Sequence, residues 1–103
     1  MEPRKPSVET EPEVDQRVSL APRWRVIIHN DDVTPMDFVV AILLGVFRLE
    51  GQRATKVMLE AHQTGVAHVI TLALEEAEVR VERAHALARA KRWPLTFTYE
   101  PDA

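Results

Sequence analysis

The sequence predicts a small α+β domain of order β-α-α-β-α-β, in which a three-stranded, mostly antiparallel sheet packs with three helices behind a flexible amino-terminal arm. Three observations predict it. Runs rich in β-branched residues or alternating in polarity occur at Trp24–His29, Val66–Ala73 and Leu95–Tyr99. Segments with helical apolar spacing separate them. The first 22 residues differ in composition from everything that follows, holding four of the seven prolines, five acidic and three basic side chains, and no aromatic ring. Such a stretch buries too little apolar surface to offset its chain entropy, so residues 1–22 read as a flexible extension and 23–103 as one folded domain.

In the first strand, Trp-Arg-Val-Ile-Ile-His stops at the turn-forming Asn30-Asp31-Asp32. Thr34-Pro35-Met36-Asp37 then reads as a helix start, with Thr34 at the N-cap, Pro35 at the first helical position and an acid in the first turn where the helix dipole favours it. This helix runs to about Leu49. Its apolar residues cover more than one face, so it is expected to be buried on two sides, or buried on one and lining a groove on the other. Gly51 separates it from a more amphipathic helix with the stripe Ala54, Val57, Met58 and Ala61, which Gly65 stops. After the second strand, a third helix from about Glu75 to Lys91 carries the stripe Ala77, Val81, Ala84 and Ala88. The third strand directs Leu95, Phe97 and Tyr99 to the core.

Composition removes several classes of function. The chain has 103 residues, 16 acidic and 13 basic side chains, and no cysteine. Disulfide scaffolds, thiolate metal sites and thiol nucleophiles are excluded, and a reducing, cytoplasmic setting is expected. The acidic balance argues against nucleic acid as a partner. The longest apolar run, Phe38 to Phe47, is about half the ~20 residues a membrane-spanning helix needs, so no membrane role is expected. The only serines are Ser7 and Ser19, which leaves the folded part without a serine nucleophile.

The polar knot His29-Asn30-Asp31-Asp32 has two readings. It is a strand-ending turn held by side-chain hydrogen bonds, or it is a cluster of acceptors beside an apolar helix, suited to a cation that carries an apolar attachment. His62, four residues after Met58 and on the same helix face, is either stabilised by a helix C-terminus or part of such a cluster. His62 and His68 lack metal-ligand spacing, and His29 and His85 have no obvious companion, so neither a metal nor a cofactor is expected. Met36 and Met58 serve either as core packing or as an adaptable binding surface.

The string Asn30-Asp31-Asp32-Val33-Thr34-Pro35-Met36-Asp37-Phe38-Val39, with Arg53-Ala54-Thr55, Met58, His62 and Pro94-Leu95, resembles the ClpS family, the bacterial adaptors of the Clp protease. The likeness extends from about Trp24 to Tyr99. It implies a non-enzymatic, monomeric adaptor that binds N-degrons, proteins whose first residue is a bulky Leu, Phe, Tyr or Trp, and passes them to the unfoldase ClpA or ClpC with the peptidase ClpP. By the same resemblance Asn30, Asp32 and His62 hydrogen-bond the substrate's α-amino group, with Asp31 nearby. Thr34, Met36, Val39, Ile42, Met58 and Ala61 form or border the side-chain pocket, with Met36 as its gate. Val33, Ile42 and Ala61 depart from the family's usual residues there. Glu75 and Arg80 match positions that contact the unfoldase; Arg80 stands where the family commonly has Lys.

The physical reading agrees with the implied chemistry. An α-ammonium has three donors, and an amide oxygen, a carboxylate and a neutral imidazole supply three acceptors. Protonating His62 removes one of them, so binding is expected to weaken at low pH. Two alternatives come from other classes. One is a plain interaction domain like the carboxy-terminal domain of the ribosomal stalk protein; the other is a hydrolase using Asp31 or Asp32 with His62, which lacks a nucleophile or a group to orient the histidine.

Overall fold

The computed structural model describes residues 22–102. Apart from Pro22, the expected arm at residues 1–22 lies outside them. The elements follow the expected order: β1 (Arg23–His29), α1 (Met36–Gly45), α2 (Gly51–Thr64), β2 (Val66–Ala73), α3 (Leu74–Ala90) and β3 (Thr96–Pro101). β1 is central, with β2 and β3 both antiparallel to it, so the sheet is wholly antiparallel with spatial order β2-β1-β3. The β1–β2 register slips between Val26 and Ile27. Without that slip, alternation would place Val69 and Ile70 on opposite faces; both instead contribute to the core side.

The core lies between one face of the sheet and the helices. Val26, Ile28, Ala67, Val69 and Phe97 point into it from the strands. α3 crosses all three strands and presents Ala77, Val81, Ala84 and Ala88, all buried, as its spacing predicts. Small side chains on that stripe let the helix lie close to the sheet. α2 packs on β2 and on α1 through Ala54, Val57 and Ala61. Phe47 meets Phe97 with ring centroids 4.9 Å apart, and Phe38 meets Trp93 edge-on at 4.6 Å, which fastens α1 to the segment leading into β3. The other sheet face is polar: Arg25 pairs with Glu100 at 3.2 Å, and His29 Nε2 lies 2.7 Å from Thr98 Oγ1.

Three helix ends differ from expectation. Pro35, not Thr34, occupies the N-cap position of α1, with extended backbone and no side-chain cap. Thr34 is drawn away because its N–H and hydroxyl both donate to Asp31. At the other end α1 stops at Gly45 rather than near Leu49. Val46 and Phe47 still turn inward and are buried, but Arg48 takes a left-handed φ of 61° and reverses the chain. Phe47 and Leu49 N–H then donate to the carbonyls of Ile42 and Leu43. Gly51 is the first residue of α2 rather than a spacer before it. Gly65 does stop α2, at φ 96° in the left-handed region that glycine adopts without a Cβ clash.

Candidate functional site

The loop from Asn30 to Pro35 is built around Asp31. Its Oδ1 accepts the N–H groups of Val33 at 2.8 Å and Thr34 at 2.7 Å, and its Oδ2 accepts the Thr34 hydroxyl at 2.9 Å. Partial burial pushes the Asp31 carboxyl upward, but the bonds from Thr34 and Val33 outweigh it and hold the group below the usual carboxylate range. The loop is also tied across the molecule, because the Asn30 N–H donates to the Gly65 carbonyl at 2.9 Å. That bond sets the start of the loop against the end of α2, and so brings Asn30 toward His62.

The result is a cavity of about 330 Å³ between the end of β1, this loop, α1 and α2. Ligand sites start at roughly this size, so there is room for one amino-acid side chain and its head group. Met36 and Val39 face it from successive turns of α1, and Met58, Ala61 and His62 from α2. Asn30, Asp31, Asp32 and Thr34 supply the polar rim. Among the described residues, the side chains of Asn30, Asp32 and His62 make no hydrogen bond, so their acceptors remain open to a ligand. Each of those three residues is exposed.

Of the residues singled out from the sequence, Asn30, Asp31, Asp32, His62, Thr34, Met36, Val39, Met58 and Ala61 all border this cavity. Ile42 does not; it lies one turn deeper in α1 and is buried in the core. Ile28 lines the cavity too, with no signal in the sequence beyond its place just before the polar knot; His29, the first residue of that knot, and Pro35, from the helix start, also line it, although neither is assigned a site role from the sequence. Glu75 and Arg80 sit away from it on α3. Five positions separate them by about 140° around the helix. Arg80 donates to Glu76 at 2.9 Å and, more weakly, to the Val46 carbonyl at 3.4 Å, while Glu75 is exposed.

A larger hollow of about 720 Å³ runs along the outer face of α2, but a single helix supplies its described lining and no polar groups converge on it from a second element. Among the described residues no three His, Cys, Asp or Glu side chains gather as a metal ion needs. No described helix is long and apolar enough to cross a membrane.

Comparison with known proteins decides among the classes of function. Residues 19–98 match the sequence model of the ATP-dependent Clp protease adaptor protein ClpS. The chain belongs to the ClpS family. Among its relatives, ATP-dependent Clp protease adapter protein ClpS 1 of Rhodopseudomonas palustris is 50% identical over 78 residues, covering 76% of each chain. The ClpS of Oleidesulfovibrio alaskensis is 44% identical over 78 residues, or 76% of this chain and 75% of its own. The solved structure of Agrobacterium tumefaciens ClpS2 bound to L-phenylalaninamide superposes with a TM-score of 0.75 at 36% identity, covering 79% of this chain and 98% of that one. As a ClpS, the chain is an adaptor of the ATP-dependent Clp protease and not an enzyme. The hydrolase and stalk-like alternatives fall with that assignment.

Proposed function

We propose that this ClpS adaptor uses the cavity between the Asn30–Pro35 loop, α1 and α2 to bind N-degrons, and passes them to ClpA or ClpC with ClpP. The observation that carries the reading is the pairing of an apolar wall with open acceptors at one small cavity. Met36, Val39, Met58 and Ala61 face a first-residue side chain, while Asn30, Asp32 and His62 face its α-ammonium. Phenylalaninamide, the ligand in the Agrobacterium relative, has both features: a charged amine and an aromatic side chain.

Burying a Leu or Phe side chain contributes about 1.5–3 kcal/mol, so the apolar wall alone gives weak binding. Discrimination comes from the polar end. An acetylated amine offers one donor and no charge, leaving acceptors unpaired at about 1–3 kcal/mol each. Asp31 supports this site as the residue that shapes the loop. Met36, at the mouth, limits which side chains pass, and Thr34 closes the loop side of the pocket. Glu75 and Arg80 on α3 serve as the unfoldase contact, and residues 1–22 as the segment that engages the unfoldase during delivery.

Peptides that differ only in their first residue, each with a free or acetylated amino terminus, test the binding step by fluorescence anisotropy. Binding of free Leu, Phe, Tyr and Trp peptides, at least about ten-fold weakened by acetylation, is the expected outcome; indifference to the terminus would overturn it. Deleting residues 1–22 is expected to leave peptide affinity unchanged and to abolish degradation of an N-degron reporter by the reconstituted protease. Degradation that survives the deletion removes the delivery role.

A further inference from the structure

The sulfur chemistry of the folded domain is confined to one place. The chain has no cysteine and three methionines. One is Met1; the other two, Met36 on α1 and Met58 on α2, line the same cavity. Met36 is 45% exposed at the mouth, whereas Met58 is half-buried. With no thiol to intercept an oxidant, the thioethers are the most readily oxidised groups, and oxidation turns a flexible apolar side chain into a polar one.

From this placement we infer that Met36 is an oxidation site through which a peroxide weakens ligand binding in the cavity, with Met58 a slower second site. The inference rests on the reading of the cavity as an N-degron pocket. In the reaction a sulfur lone pair attacks one oxygen of hydrogen peroxide, forming the S–O bond as the O–O bond breaks. The departing hydroxide takes the proton from the transferred oxygen and leaves as water. Sulfur loses two electrons and the peroxide gains them; no metal or cofactor takes part.

The product sulfoxide is a strong acceptor on a wall that otherwise offers only carbon and sulfur. An incoming Leu or Phe side chain brings no donor to it, because the ammonium donors are directed to Asn30, Asp32 and His62 at the rim. Covering an acceptor without a partner is unfavourable. The sulfoxide of Met36 therefore opposes the step that Met36 as a thioether favours. Because methionine sulfoxide is enzymatically reducible, the change is a reversible switch.

The test treats the full chain with hydrogen peroxide, maps added oxygen by peptide mass spectrometry and measures affinity for a Phe-initiated peptide before and after. A third measurement follows treatment with methionine sulfoxide reductases. The expected result is oxygen on Met36 before Met58, binding weakened about ten-fold, and recovery after reduction. Met36→Leu, compared only with itself before and after peroxide, is expected to lose most of the sensitivity, and Met58→Leu to keep it. Oxygen on Met36 with unchanged affinity, sensitivity that persists undiminished in Met36→Leu, or a loss that reduction does not reverse each overturns the inference. Failure of the untreated protein to bind the peptide is a different outcome, since it removes the N-degron reading beneath the inference as well.

Discussion

Asp31 commits both carboxylate oxygens to its own loop, while its neighbour Asn30 holds the loop only through a backbone N–H and keeps its side chain free of bonds to other described residues. The two residues are therefore separable by experiment. Asp31→Ala removes three hydrogen bonds, one from a hydroxyl, and is expected to destabilise the domain by about 1–2 kcal/mol, as loss of a capping side chain does. For a domain of this size that lowers Tm by roughly 4–8 °C per kcal/mol. Peptide binding weakens with it, because the acceptors are no longer held in place. Asn30→Ala is expected to weaken binding about ten-fold or more with Tm within about 1 °C of the parent. Thermal melts and anisotropy titrations on both variants check this; equal Tm losses would mean that Asn30 is also part of the scaffold. The sequence showed that Asn30, Asp31 and Asp32 gather beside an apolar helix. It did not show which carboxylate turns into the loop, because that depends on where the Thr34 hydroxyl goes, and a threonine before proline reads equally well as a helix cap.

Elements were legible where local chemistry and tertiary packing agree. β2 begins and ends as its alternation predicts, since Gly65 precedes it and α3 follows without a loop. α2 ends at Gly65 because only glycine takes φ 96° without strain. The apolar pattern outruns α1 for a physical reason: it continues through Val46 and Phe47, which are buried although the helix has ended. The residue that turns the chain there is Arg48, and nothing in an arginine announces a φ of 61°. Gly65 is the element boundary that matters most to the site, because its carbonyl holds the Asn30 N–H. A Cβ at Gly65 would meet nothing within 4 Å, so the effect of Gly65→Ala is conformational rather than steric packing. Forcing an L-residue into this region costs about 1–2 kcal/mol. The expected outcome is a matching loss in denaturant stability, together with weaker peptide binding as the carbonyl shifts. Unchanged binding in the folded variant would show that the link to Asn30 does not position the rim.

At the scale of the whole molecule, the order of elements and the core stripes were readable, but the ties that close the sheet's edges were not. His85 is the clearest case. β3 is an edge strand, so its outward N–H groups lack a strand partner. α3 supplies one: His85 Nε2 accepts the Phe97 N–H at 2.9 Å, which requires the unprotonated lone pair. Burial, and then the Arg89 charge, hold the His85 pKa below the ordinary 6.5. His68 on β2, whose Nε2 lies 2.9 Å from Thr71 Oγ1, is lowered too, by burial and then by Arg25 and Arg53, with Asp102 and Glu60 opposing. Both histidines therefore bind protons less readily in the folded chain than in the unfolded one. Their contribution to stability is present in full above the unfolded value near 6.5 and is lost as pH falls through the lower folded values. Urea unfolding at pH ~7.5, ~6 and ~5 is expected to show decreasing midpoints. His85→Gln replaces the imidazole with an amide oxygen that accepts from Phe97 at any of these pH values, so its midpoints should fall less steeply, leaving the slope owed to His68. A wild-type midpoint that stays level or rises toward pH ~5 would contradict the assignment, because it requires the folded state to bind at least as many protons as the unfolded chain over that range.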